Sequence, residues 1–208
     1  MQIFSLKHVD CLDVHEDGVT FHGADQEWYH DALRRGAGCG PVVCAMMFWY
    51  LSQTHEPLKG LCDIAGPERE HIVRYMEEMW DYVTPGNMGL NKTEMFVNGA
   101  LEFASKKGSD IKCEVLDVPM KTRNRPGTEE VELFLSGALD RDIPVAFLNL
   151  SNGGIEALEN WHWVLITRYD PHDKTVTFID HGQCKTIDVD QWLSRTKLGG
   201  GFVAVSGP

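Results

Sequence analysis

The sequence predicts an α+β chain: helices first, one of them central and buried, packed on a C-terminal antiparallel sheet. Three observations predict it. Residues 42–51 are apolar on every side, as in a helix buried all round. From Ile72 to Val83, apolar residues return with a 3.6-residue period, and helix start and stop signals recur as far as 139. From 143 onwards, the stretches IPVAFLNL, NWHWVLITRYD, KTVTFID, CKTIDV and GGFVAVS are rich in β-branched and aromatic residues, with turn chemistry such as DPHDK between them. Helices followed by a meandering sheet give the α+β class.

The elements follow in order. Ile3 to Leu6 and Val19 to His22 read as two short strands turning at HEDG, an N-terminal extension over 1–24. DQEWYHDALRRGAG reads as polar and irregular. The buried helix opens at Gly40 to Val42, where Pro41 suits a first turn that has no use for its missing N–H. A second helix begins at Gly66 and Pro67 and carries Ile72, Val73, Met76, Met79, Trp80 and Val83 on one face until Pro85. A third spans Thr93 to Lys107, with Asn91 and Glu94 spaced as a capping box and Gly108 as its stop. A fourth covers Glu129 to Leu139, its early glutamates suiting the helix dipole. A short helix near Asp190 to Arg195 interrupts the strands. No repeat or low-complexity tract divides the chain, so one domain over 1–208 is expected, with 55–128 a helical insertion or wall.

Charge limits the partners. With 31 acidic and 19 basic residues among 208, the net charge is −12, which disfavours nucleic acid and anionic membrane surfaces. The apolar run from Pro41 to Leu51 falls well short of the ~20 residues that span a bilayer. The start, MQIFSLKHVDCLD, lacks a charged leader followed by a long apolar stretch, so a cytoplasmic protein is expected. The 6 cysteines form no CxxC pair, and reduced thiols are expected over disulfides. A small peptide or amide is the expected partner, no cofactor is called for, and the oligomeric state is left open.

Cys39 stands out in GAGCGPVVCAMM, between two glycines at the start of the buried helix. Helix-end N–H groups and the dipole favour a thiolate there, and the same amides at Gly40 can hold an oxyanion. Of the 9 histidines, His162 lies in WHWVLIT, a strand where an ionisable ring among apolar neighbours must be paired or used. The next strand folds back through a turn near His172 and Asp173, which sets residue 162 opposite 182 or 180 and brings Asp180 within reach as the group that orients the ring. His181 is a rival base, directed by strand alternation to the opposite face.

GCGP opening a buried helix, a distant HWV strand and an aspartate ending the next strand together resemble the papain-like cysteine peptidases, and within them the bacterial C39-like peptidase group. The resemblance runs from about Asp25 to Ser206. It implies the papain-like fold and a triad with Cys39 as nucleophile, His162 as base and then acid, and Asp180 as orienter. In that family a glutamine just before the cysteine completes the oxyanion hole. Here that stretch reads ALRRGAG; the glutamine between the N-terminal strands and Cys39 is Gln26, brought in by a longer loop, or else backbone N–H groups serve alone. The implied activity is hydrolysis of a peptide or other amide bond. Acyl transfer by the same triad, an inactive binding protein on the same fold, and a zinc site from Cys39, Cys44 and a histidine are the alternatives.

Overall fold

A computed structural model describes residues 2–208. Among them the elements run β1 (Phe4–Ser5), β2 (Asp13–Glu16), β3 (Val19–His22), α1 (Ala32–Ala37), α2 (Cys39–Thr54), α3 (Arg69–Trp80), α4 (Thr93–Lys106) and β4 (Lys112–Val118). There follow α5 (Thr128–Asp140), β5 (Val145–Asn149), β6 (His162–Asp170), β7 (Thr175–Asp180), β8 (Gln183–Asp188), α6 (Val189–Arg195) and β9 (Gly200–Ser206). The α+β class is as the sequence predicts. One antiparallel sheet runs β4-β9-β5-β6-β7-β8, with β1 also paired to β6.

α2 is the axis of the core. Every residue from Gly40 to Ser52 is buried, because β5 and β6 pack against one side and α3 and α4 against the other. Each large apolar side chain so covered contributes roughly 1.5–3 kcal/mol, which fixes where the N-terminus of α2 emerges. β6 and β7 are buried along most of their lengths, so the sheet face behind the helix is equally fixed.

The structure corrects several local expectations. Val19–His22 pairs with Asp13–Glu16, across a turn at Asp17 and Gly18 whose φ values of 49° and 81° suit a tight hairpin. The first strand instead reaches across the chain, Phe4 opposite Tyr169, and occupies the half of β6 that β5 leaves uncovered. DQEWYHDALRRGAG is not irregular: it holds a short 3₁₀ turn at Gln26–Trp28 and helix α1, capped by the Asp31 carboxylate accepting from Leu33 and Arg34 N–H. α4 starts without a side-chain cap, so Asn91 and Glu94 form no capping box. The stretch 55–128 contributes α3 and α4, and also β4, an edge strand on β9. β9 therefore sits between β4 and β5, and the strands that follow one another as neighbours are β5 to β8.

Candidate active site

Cys39 is the first residue of α2, with Gly38 as its N-cap, and is partly accessible. The first N–H groups of a helix have no partner within it, and Pro41 has none to offer, so the free amides of this turn next to the sulfur are those of Cys39 and Gly40. The flanking glycines have a packing reason. A Cβ on Gly40 would overlap the Leu90 side chain, and one on Gly38 would overlap the Tyr29 ring and the Arg34 carbonyl. Leu90 is held in turn by its carbonyl, which accepts from Trp163 Nε1 at 2.7 Å.

His162 opens β6 and Asp180 ends β7. The pairing of Leu165 with Ile179, carried one residue further, sets Asp180 beside Val164 and one diagonal step from His162 on the same face. The ring donates from Nε2 to Asp180 Oδ1 at 2.7 Å, with the two side chains 6% and 4% exposed. Nδ1 is thereby left as the nitrogen available to Cys39. Burial alone would lower the His162 pKa; the Asp180 carboxylate and the nearby Cys39 sulfur outweigh it and hold the pKa up at about 10. Burial pushes Asp180 the other way, but the bond from His162, with support from Lys185, brings it down to about 2.

Cys39, His162, Asp180 and Gln26 line one narrow pocket, together with His181. The structure thus brings together the sequence-predicted residues, and the 3₁₀ turn at Gln26–Trp28 is what carries Gln26 in. The Gln26 Oε1 is buried without a hydrogen-bond partner.

Two residues of the site were not expected. Lys185 donates from Nζ to Asp180 Oδ2 at 2.7 Å, so the carboxylate is held from both sides. The sequence signal was the two-residue turn His181-Gly182, which pairs Asp180 with Gln183 and leaves Lys185 one diagonal away. His181 corrects the expectation outright. It sits in that turn at φ 48°, outside strand alternation, and its ring stacks on His162 with centroids 5.4 Å apart. Its Nδ1 donates to Asp25 Oδ1 at 2.9 Å, which raises its pKa.

A second pocket lies on the other side of Cys39, lined by Met88, Gly89, Leu90, Leu150 and Trp161 among others. Met88 and Trp161 are 62% and 45% exposed. Trp161, directly before His162, has φ 56°, a left-handed conformation that bulky residues rarely adopt. Burial raises the pKa of Cys11, Cys44, Cys62, Cys113 and Cys184. Cys44 is wholly buried in the core. Among the described residues, the side chains grouped closely enough to share a metal ion are Glu159, His162 and His181, so the zinc alternative built on Cys39 and Cys44 does not form.

No protein-family model matches the chain, and no curated protein matches it either. Among the described residues, no helix is long and apolar enough to cross a membrane.

Proposed function

We propose that the chain is a papain-like cysteine hydrolase that cleaves a peptide or other amide bond. The observation that carries this reading is the His162 ring, fixed at Nε2 by Asp180 while Cys39, at the helix N-terminus, shares its pocket. A helix bearing the nucleophile, packed on an antiparallel sheet bearing the base and its orienter, is the arrangement expected of that fold.

The chemistry follows from these positions. His162 Nδ1 accepts the Cys39 proton, and the sulfur attacks the carbonyl carbon to give a tetrahedral oxyanion. The N–H groups of Cys39 and Gly40 face that negative charge from the helix end, and the Gln26 amide N–H₂ supplies a side-chain donor from the same pocket. His162 then gives the proton to the leaving amine, and water attacks the thioester, passing its proton to the same ring. Asp180 keeps the ring oriented and supports its charge throughout. The pocket of Met88, Leu90, Leu150 and Trp161 offers an apolar seat for a substrate side chain next to the reacting carbonyl. Gln26 within the pocket supports the hydrolase reading over an inactive binding protein on the same fold.

The test is alkylation by iodoacetamide at pH 6, followed by peptide mapping. Cys39 is expected to react at least ~10-fold faster than the other thiols and to lose that advantage in His162→Ala. Equal rates for all thiols, unchanged by the substitution, would remove the reading.

A further inference from the structure

We propose that Glu159, His162 and His181 form a binding site for a zinc-class divalent cation, and that its occupancy switches the Cys39 site off. One donor atom from each of the three lies within 4.8 Å of the others. His181 Nε2 is buried and makes no hydrogen bond, although Glu159 Oε1 is 3.3 Å away. A buried, unpaired ring nitrogen costs free energy that a ligand would recover.

The surroundings are those of a metal-binding imidazole. Asp25 takes the Nδ1–H of His181 at 2.9 Å and fixes the ring with Nε2 towards Glu159, so that Nε2 is the nitrogen that meets a cation once its own proton leaves; a carboxylate behind a ligating ring orients it and strengthens it as a donor. Asp25 is itself held by the Glu27 backbone N–H at 2.9 Å. The stacked rings of His162 and His181 face one another at an interplanar angle of 10°, and both Nε2 atoms flank Asp180 Oδ1, at 2.7 and 3.6 Å. Two imidazoles and a carboxylate suit zinc and its neighbours; magnesium prefers oxygen ligands and its own water. Glu159, 55% exposed, is the side through which a cation enters.

Binding releases the Nε2 protons of His162 and of protonated His181 to solvent in exchange for the cation and involves no redox change. The ring then loses its bond to Asp180 and is drawn towards His181, away from Cys39. This switching step rests on the reading of His162 as the base; cation binding itself does not.

The experiment is calorimetric titration of the full chain with zinc chloride, with magnesium chloride as comparison. It is run on wild type, His181→Asn, Glu159→Gln and Cys39→Ser. Asparagine tolerates the left-handed turn at 181, and Glu159 is exposed, so both variants should fold, which circular dichroism checks. One zinc per chain is expected, weakened at least ~10-fold in His181→Asn and Glu159→Gln and unchanged in Cys39→Ser. No zinc binding, equal magnesium binding, or binding lost only in Cys39→Ser would overturn the site. Zinc should also slow iodoacetamide at Cys39 in wild type but not in His181→Asn; equal slowing in both would overturn the switch. Zinc bound as expected beside an unreactive Cys39 would sink the hydrolase reading and leave the cation site standing, and the reverse result would do the opposite.

Discussion

His162 Nε2 lies 2.7 Å from Asp180 Oδ1 in the buried floor of the pocket that Cys39 enters. Each side chain is taken out of water, so each depends on the other for compensation. Asp180→Asn removes the charge while keeping the shape. The expected result is a loss of about 3 kcal/mol in urea unfolding, with Cys39 alkylation at pH 6 falling towards that of the other thiols. Unchanged stability together with unchanged alkylation would mean that the pair is not the support of the site.

The same pair sets a pH window for folding. The His162 pKa, about 10 in the folded chain, stands above its ordinary 6.5, so its contribution is full below pH 6.5 and lost as pH rises through 10. The Asp180 pKa, about 2, stands below its ordinary 3.8, so its contribution is full above pH 3.8 and lost as pH falls through 2. Both arms report one interaction. Urea midpoints should therefore be highest between about pH 4 and 6.5 and fall on either side, with both slopes shallower in His162→Asn. Equal slopes in variant and wild type would contradict the assignment.

The pairing of His162 with Asp180 was legible in the sequence because hairpin register is a local property. The turn near His172 brings β6 against β7, and a diagonal step is enough to join His162 to Asp180. Cys39 was legible because the apolar run behind it fixes where the helix begins. What escaped has physical reasons. His181 leaves strand alternation because the backbone turns left-handed there. β4, KCEVLDV, is an edge strand whose exposed lysine and glutamate blur the alternation. β1 finds its partner at Tyr169, a pairing that no local pattern encodes. Gln26 could be named as a lone glutamine, but its place in the pocket depends on a 3₁₀ turn that composition did not reveal.

Lys185 holds the outer oxygen of Asp180 at 2.7 Å. In Lys185→Met that oxygen keeps no cationic partner, and the Asp180 pKa should rise. The expected cost is about 1 kcal/mol at neutral pH, with the acid side of the stability window moved upwards. Because His162 keeps its own bond to Asp180, Cys39 alkylation should fall less than in Asp180→Asn. A loss equal to that of Asp180→Asn would make Lys185 an essential part of the pair.

Trp161 combines a left-handed backbone, φ 56°, with an exposed ring beside Cys39. Bulky residues in that region cost roughly 1–3 kcal/mol, and asparagine tolerates it better. Trp161→Asn should therefore raise the thermal midpoint, by a gain of about 1 kcal/mol, and, on the proposed hydrolase reading, weaken peptide binding. In kinetics on a peptide with an apolar side chain, KM should rise with kcat nearly unchanged. A stability gain without any change in KM would show that the ring seats no substrate, and a stability loss would show that its packing outweighs the strain.

The two glycines beside Cys39 should respond differently to alanine. At Gly40 the added methyl meets the Leu90 side chain, which can shift its rotamer at a cost of about 1–2 kcal/mol. At Gly38 it meets the Arg34 carbonyl and the Tyr29 ring. The carbonyl belongs to α1, and Tyr29 Oη donates to the Met76 carbonyl at 3.0 Å, so neither yields easily. Gly38→Ala should therefore cost more than Gly40→Ala in urea unfolding, about 3 kcal/mol or above. Gly40→Ala moves Leu90, whose carbonyl accepts from Trp163, and so acts on the apolar pocket; Gly38→Ala acts on the start of α2 and on the amides that face the sulfur. Alkylation of Cys39 should consequently slow more in Gly38→Ala. The opposite order in either measurement would show that α1 gives way before Leu90 does.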